Sequence, residues 1–398
     1  MGVAVDARDE GAVVAGGGDP LRQIEARAYS RAARLRGRVR LVVMGVLAVV
    51  AALGGARIAR ALDTPGPLVI DAAAYAWAAL VALWLAGLPF ALLGRRAALR
   101  AGLSHQRLPG WLADQAKSLA IGAVVAPLVM WGLVAALRAW PHGWWVPVTI
   151  GSIALELLLT VVTPVLIVPL FMRSHPLPPG RLADDLYALA ARAGVRVRAL
   201  RVLEASAKNT VANAFVAGIG PTRRIVLFDN LLGDNPDTER QIAETRSVLA
   251  HEFGHHASGD LWRLTAAAAV ATAVVLAAVA AALLRLPEAL AHRGAGAFAM
   301  LPALFLCAAV AQFVAGIALG AYSRRRERAA DAYGIALVGD GEPFARALEN
   351  LCATNLSELR PPRLEHWLGA SHPPPYERIA RARSNGKENP TTGANGAL

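Results

Sequence analysis

Charge is what this sequence has little of. Only 18 % of its 398 residues are Asp, Glu, Lys or Arg, while 55 % are hydrophobic; soluble domains carry about 25 % charged residues. So thin a polar complement cannot cover a soluble protein of this length, and bilayer spans become the first expectation. Cysteine is scarce as well, with Cys307 and Cys352 as the two examples. Two cysteines exclude a disulfide framework and a cysteine-based zinc motif. The first twenty residues hold Asp6, Asp9, Glu10 and three successive glycines but no apolar stretch. They are expected to be a disordered tail, not a signal peptide. Aromatic and basic residues are not interleaved, so no nucleic-acid partner is expected. The net charge of +12, supplied mostly by arginine, then points to the anionic face of a membrane.

Six stretches approach the roughly twenty apolar residues that a span requires. They are residues 41–62, 72–94, 118–137, 143–172, 264–284 and 294–323. Trp140, Trp144 and Trp145 stand like an interfacial belt at the start of the fourth. Arginines cluster before the first span (Arg22 to Arg40), between spans two and three (Arg95, Arg96, Arg100, Arg107) and after the sixth (Arg324 to Arg326), whereas the opposite loops hold few. Positive charge marks the cytoplasmic side, which places the polar segments before span five and after span six together in the cytoplasm. The expected organisation is a basic, disordered segment 1–37, four spans in 38–172, half of a catalytic domain in 173–263, a membrane hairpin in 264–323, the other half in 324–385 and a tail 386–398. Glu156 sits inside span four; it either faces a water-filled interior or makes a structural polar contact between helices.

Between spans four and five the pattern predicts a helix over 178–194, then β-leaning runs at 199–204, 211–219 and 223–229, the last two forming a hairpin around Gly218, Gly220 and Pro221. A helix capped by Asp234 or Asp237 follows, and it carries "HEFGH". His251 and His255 are four residues apart, so on a helix they lie about 40° apart on one face and both imidazoles reach one ion. Glu252, one residue on, reaches a water held by that ion and is placed to take its proton. His256 points about 100° away from His255 and is set aside.

A catalytic zinc site needs a third protein ligand. "RERAADAY" offers Glu327 and Asp331, again four apart. If spans five and six form a hairpin turning near Ala291, His255 and Glu327 lie equally far from the turn along the chain, as do His251 and Asp331. That register gives Glu327 as ligand and Asp331 as the acceptor that orients His251.

HEFGH, the downstream ERAAD, "NAFVAGIG", "RRIVLFDNLL" and "SHPPPYERI" occur in this order among multiple spans. In this the chain resembles the CAAX prenyl protease 1 family, integral-membrane gluzincin metalloproteases, over roughly residues 20 to 385. The resemblance implies a mainly α, multi-pass fold with membrane helices around an aqueous chamber and a zinc protease domain containing a small β-sheet. It implies one Zn²⁺ held by His251, His255 and Glu327, with Glu252 as general base and Asp331 in a proton-donating or orienting role. Asn213 and Arg378 would contact substrate, and His372 would stabilise the oxyanion. Phe215 stands where the family's motif has Tyr. The arginine- and alanine-rich composition looks bacterial, so the natural substrate is either a prenylated polypeptide or another membrane-associated one, and the compartment is the inner membrane. Two other readings are a quality-control zinc protease for membrane proteins and a catalytically silent polypeptide-binding scaffold.

Overall fold

The computed structural model describes residues 19–62, 67–218, 223–293 and 296–388. Residues 1–18 and 389–398 of the expected tails, and the expected turn at Gly220 and Pro221, lie outside these residues. In chain order the helices are α1 (Pro20–Leu53), α2 (Gly55–Leu62), α3 (Leu68–Arg100), α4 (Leu108–Ala139), α5 (Trp145–Phe171), α6 (Arg181–Arg192), α7 (Asp229–Leu232), α8 (Glu239–Ala257), α9 (Asp260–Arg285), α10 (Glu288–Ala291), α11 (Ala297–Val338), α12 (Glu342–Thr354), α13 (Arg363–Gly369) and α14 (Pro375–Glu388). The strands are β1 (Ser174–Pro176), β2 (Ala199–Leu203), β3 (Ala214–Ala217) and β4 (Arg224–Phe228).

Five helices among the described residues, α3, α4, α5, α9 and α11, are long and apolar enough to cross a membrane. This corrects the expectation of six. The first expected span, 41–62, is split at Gly54, where α1 ends and α2 begins, and the apolar part of α1 alone is too short. The expected disorder up to residue 37 is also corrected, because α1 is helical from Pro20 onward, with Asp19 accepting from the Leu21 N–H at its start. α1 still reaches both ends of the helical bundle. Near its start, Gln23 accepts from the Leu359 N–H at 3.0 Å and Arg34 pairs with Glu358 at 3.0 Å. At its far end, the Ala52 carbonyl accepts from His292 Nε2 at 2.8 Å.

The bundle packs tightly at that far end, around Tyr75, Val134, Trp144, Val279, Phe298 and Leu301. Elsewhere the long helices expose large apolar side chains, such as Val124, Ile150, Val270 and Val310. Such outward apolar surface is the signature of helices solvated by lipid. α5 carries one π-turn at Thr163–Ile167, with Pro164 at its start; the missing proline N–H breaks the regular ladder there.

At the other end of the bundle lies a separate core. The sheet has the order β1-β2-β4-β3. β2 and β4 are parallel with Leu200 opposite Ile225, and β3 pairs antiparallel to β4 with Phe215 opposite Val226. The three expected strands are present; β1, paired antiparallel to β2, is too short to show alternation. Leu186 of α6 and Leu249 and Phe253 of α8 are fully buried and share the core with Ile225 and Leu227. Thr238, not Asp234 or Asp237, caps α8, its hydroxyl accepting from the Gln241 N–H at 3.3 Å. Asp237 instead accepts from the Leu182 N–H at 2.9 Å and anchors the first turn of α6.

Candidate active site

Small residues bring the two motif-bearing helices together. A Cβ on Gly254 of α8 would lie 2.7 Å from Ala330 Cα, and a Cβ on Gly334 of α11 would lie 2.8 Å from the His251 backbone nitrogen. Ala250 and Ala330 between them are completely buried. The backbones therefore touch, and the four-residue periodicity of each helix turns two side chains from α8 toward two from α11. α9 and α11 form the hairpin that closes this register, with α10 in its turn.

The resulting cluster is compact. One ligand atom from each of His251, His255 and Glu327 lies within 4.8 Å of the others. Glu327 Oε2 is 3.5 Å from His251 Nε2, and Oε1 is 3.3 Å from His255 Nε2. Both imidazoles are tied from behind. His251 Nδ1 donates to Asp331 Oδ1 at 2.8 Å, and His255 Nδ1 donates to Asp260 Oδ2 at 2.8 Å. Those bonds orient the rings and leave each Nε2 facing Glu327, the nitrogen available to a metal. Glu327 Oε2 is buried with no hydrogen-bond partner. Two imidazole Nε2 atoms and an orphaned carboxylate oxygen converge on one point, a donor set that fits a zinc ion, whose binding displaces any proton on those nitrogens.

The charges around this point are strongly perturbed. Burial alone opposes a charged His255, yet its bonds to Glu327 and Asp260 raise its pKa to about 9. Burial lifts the Glu252 carboxyl above its ordinary value, partly countered by the two histidines. His372 lies at the rim, 60 % exposed at its side chain, with Nε2 3.3 Å from Glu327 Oε1 and Nδ1 2.8 Å from the Ser371 hydroxyl. Partial desolvation at the rim lowers its pKa; Glu327 opposes this and the Arg378 charge adds to it.

Arg378 is seated deep beside the cluster, its side chain 10 % exposed. Its guanidinium grips Asp331 with two hydrogen bonds, at 2.9 and 2.6 Å, and lies 5.6 Å from the Phe344 ring centre. Nη2 is also 3.7 Å from Glu327 Oε2. Asn213 stands outside this cluster, exposed just before β3. Its side chain accepts from the Ala214 N–H at 2.8 Å, and its carbonyl accepts from the Phe228 N–H at 2.9 Å. β3 is an edge strand of the sheet and packs beside α8. His256 points elsewhere, half-buried; its pKa is lowered by burial and by the charge of Arg223.

Asp260 and Arg326 are the members that sequence reading missed. Asp260 is 1 % exposed and bridges His255 to Arg326 Nε, the latter at 2.6 Å. It opens α9 directly after Gly259, whose left-handed backbone (φ 64°) lets the chain turn between α8 and α9. A periodicity argument treats the stretch as one continuous helix and so points Asp260 the wrong way. The glycine four residues beyond His255 was the available signal.

The family model of Peptidase family M48 matches residues 176–385, and that of the CAAX prenyl protease N-terminal region, described as five membrane helices, matches residues 25–173. An uncharacterized metalloprotease of Bacillus subtilis, YhfN, is 29 % identical over 302 residues, covering 75 % of this chain and 70 % of that protein. A CAAX prenyl protease 1 homolog of Caenorhabditis elegans is 29 % identical over 315 residues, covering 71 % and 70 %. The crystal structure of S. mikatae Ste24p shares the fold, with a TM-score of 0.77 at 20 % identity over 91 % of this chain and 88 % of that one. A peptidase model that spans over half of the chain, on a helical membrane frame shared with Ste24p, shows that this chain belongs to peptidase family M48 as an integral-membrane metalloprotease related to CAAX prenyl protease Ste24.

Proposed function

We propose that this protein is a zinc endopeptidase that cleaves polypeptides at the cytoplasmic end of its helical bundle. The observation that carries the reading is the convergence of His251 Nε2, His255 Nε2 and the unpartnered Glu327 Oε2, with both Nδ1 atoms held by carboxylates. His251, His255 and Glu327 would hold the ion. Zinc there supplies Lewis acidity toward a water molecule and the scissile carbonyl. Glu252 accepts the proton of the attacking water and passes it to the leaving nitrogen. Its burial, which raises its pKa, suits a group that must both take and return a proton.

His372 donates from Nε2 to the oxyanion as negative charge grows on the carbonyl oxygen. The Ser371 hydroxyl, 2.8 Å from Nδ1, donates to that nitrogen and so keeps the proton on Nε2. Asp331 is a positioning residue that acts through His251, and Arg378 holds Asp331 in place. Substrate backbone adds to the free edge of β3, with Asn213 at the entrance of that edge. The cytoplasmic assignment rests on charge. Arg22 to Arg40, Arg95 to Arg107 and Arg324 to Arg326 all sit at the end that carries the site, whereas Arg138, Arg285 and Arg293 sit at the other.

The test pairs chemistry with metal content. Glu252→Gln should retain one zinc per chain by elemental analysis and lose cleavage, and 1,10-phenanthroline should abolish wild-type cleavage until zinc is restored. Full activity in Glu252→Gln overturns the reading. Running farnesylated and unprenylated forms of one CAAX peptide side by side assigns the substrate class.

A further inference from the structure

Beside the site, on another flank of α11, a pocket of about 540 Å³ opens between α11, α13 and the start of α14. Arg324, Arg328, Arg360 and Arg363 line it, together with His366 and Trp367. None of the four guanidiniums has a carboxylate partner among the described residues. Arg324 is 7 % exposed and donates to the Ala370 carbonyl at 2.5 Å; Arg360 lies over the Tyr376 ring at 5.2 Å. The one acid on the wall, Glu377, is already engaged by the Tyr376 hydroxyl at 3.3 Å and by Arg381 at 4.0 Å. His366 Nε2 is buried and has no hydrogen-bond partner. Converging positive charge with so little opposite charge is costly unless an anion joins it.

The depth of the pocket says where that anion comes from. Arg324 is the first charge after the uncharged run that begins α11 at Ala297. α13 is tied to α1 through Glu365, which pairs with Arg34 at 2.6 Å and also with Arg38. Just beyond those residues α1 becomes apolar, from Leu41 onward. Two helices therefore place the pocket at the level where the chain leaves the hydrocarbon. At that level α13 exposes Leu364 (68 %) and Trp367 (55 %), the residue types that settle among headgroups.

We propose that this pocket binds the phosphate headgroup of an anionic phospholipid. Guanidinium forks match phosphate oxygens two at a time, the unpartnered His366 Nε2 offers a further polar contact, and Leu364 and Trp367 lie against the acyl chains. A lipid held there would pin α13 to α11, one helical turn from Glu327, and seat the catalytic end on an anionic surface.

The experiment uses the full-length protein in zwitterionic detergent and counts retained lipid by native mass spectrometry after titration with phosphatidylglycerol or phosphatidylcholine. Wild type should retain one phosphatidylglycerol in preference to phosphatidylcholine, and millimolar inorganic phosphate should not displace it. Arg328→Gln with Arg363→Gln, both exposed positions, should weaken retention by about fivefold per arginine removed with an unchanged thermal unfolding midpoint. Equal retention of the two lipids, or unchanged retention in the double variant, overturns the proposal. Displacement by inorganic phosphate makes the pocket a free-anion site and also overturns it. So does a KM rise in the double variant confined to peptides with a free C-terminal carboxylate, at unchanged lipid retention, because the pocket then belongs to the peptide substrate.

Discussion

At the scale of single residues, the candidate site depends on groups that never face its centre. Asp260 orients the ring of His255 and is itself held by Arg326. Removing such a partner typically weakens metal affinity by about 10- to 100-fold. Asp260→Ala is therefore expected to lose zinc to a competing chelator in that range, while circular dichroism stays that of wild type. Cys352 shows the opposite environment. Burial pushes its thiol up to about 12, with Arg378 opposing the shift. It should stay protonated at pH 8 and resist iodoacetamide in the native protein, reacting only after denaturation. Histidine and glutamate at helical spacing were legible in the sequence because that geometry is local. The grip of Arg378 on Asp331 was not, because the two residues lie 47 positions apart in the chain.

At the scale of elements, the contact of α8 with α11 decides whether the cluster exists. Equal chain distances from the hairpin turn anticipate the facing of His255 with Glu327 and of His251 with Asp331, because every helical residue rises by the same 1.5 Å or so. The register tolerates the break at Gly259 because α8 and α9 continue with only a short turn between them. The backbone contact itself leaves no room for a side chain at Gly334. Gly334→Leu is expected to cost about 1–3 kcal/mol of stability through overpacking and to separate His251 from Asp331. The checks are a lower unfolding temperature and a lower zinc content in the same preparation. A surface substitution at His256, outside the contact, should change neither.

At the scale of the whole molecule, α1 links the two ends. Its basic half binds the catalytic end through Arg34, Glu358 and Glu365, and its last turn meets the α10–α11 turn through His292. Arg34→Ala leaves Glu358, buried to 8 % exposure, without its partner, a loss of about 1–3 kcal/mol. Adding Glu358→Gln should recover part of it, and thermal unfolding of the two single variants and the double closes the cycle. Single cysteines introduced at position 27 and in the 140–144 turn of a cysteine-free background should react with an impermeant maleimide from opposite sides of the membrane. Labelling of both from one side would contradict α1 and α4 running between the two ends.

Composition and local spacing, by themselves, determined that the chain is a membrane protein carrying a metalloprotease motif. Hydrophobic content is additive along the chain, and a four-residue repeat fixes which side chains share a helical face. Tertiary structure decided the rest. It made α1 reach both ends although its charges fail an apolar count, brought Asp260 behind His255 across a glycine turn, turned Arg378 onto Asp331, and gathered Arg324, Arg328, Arg360 and Arg363 around one pocket. Each of these depends on residues far apart in the chain or on a backbone break, and a periodic pattern carries no information about either.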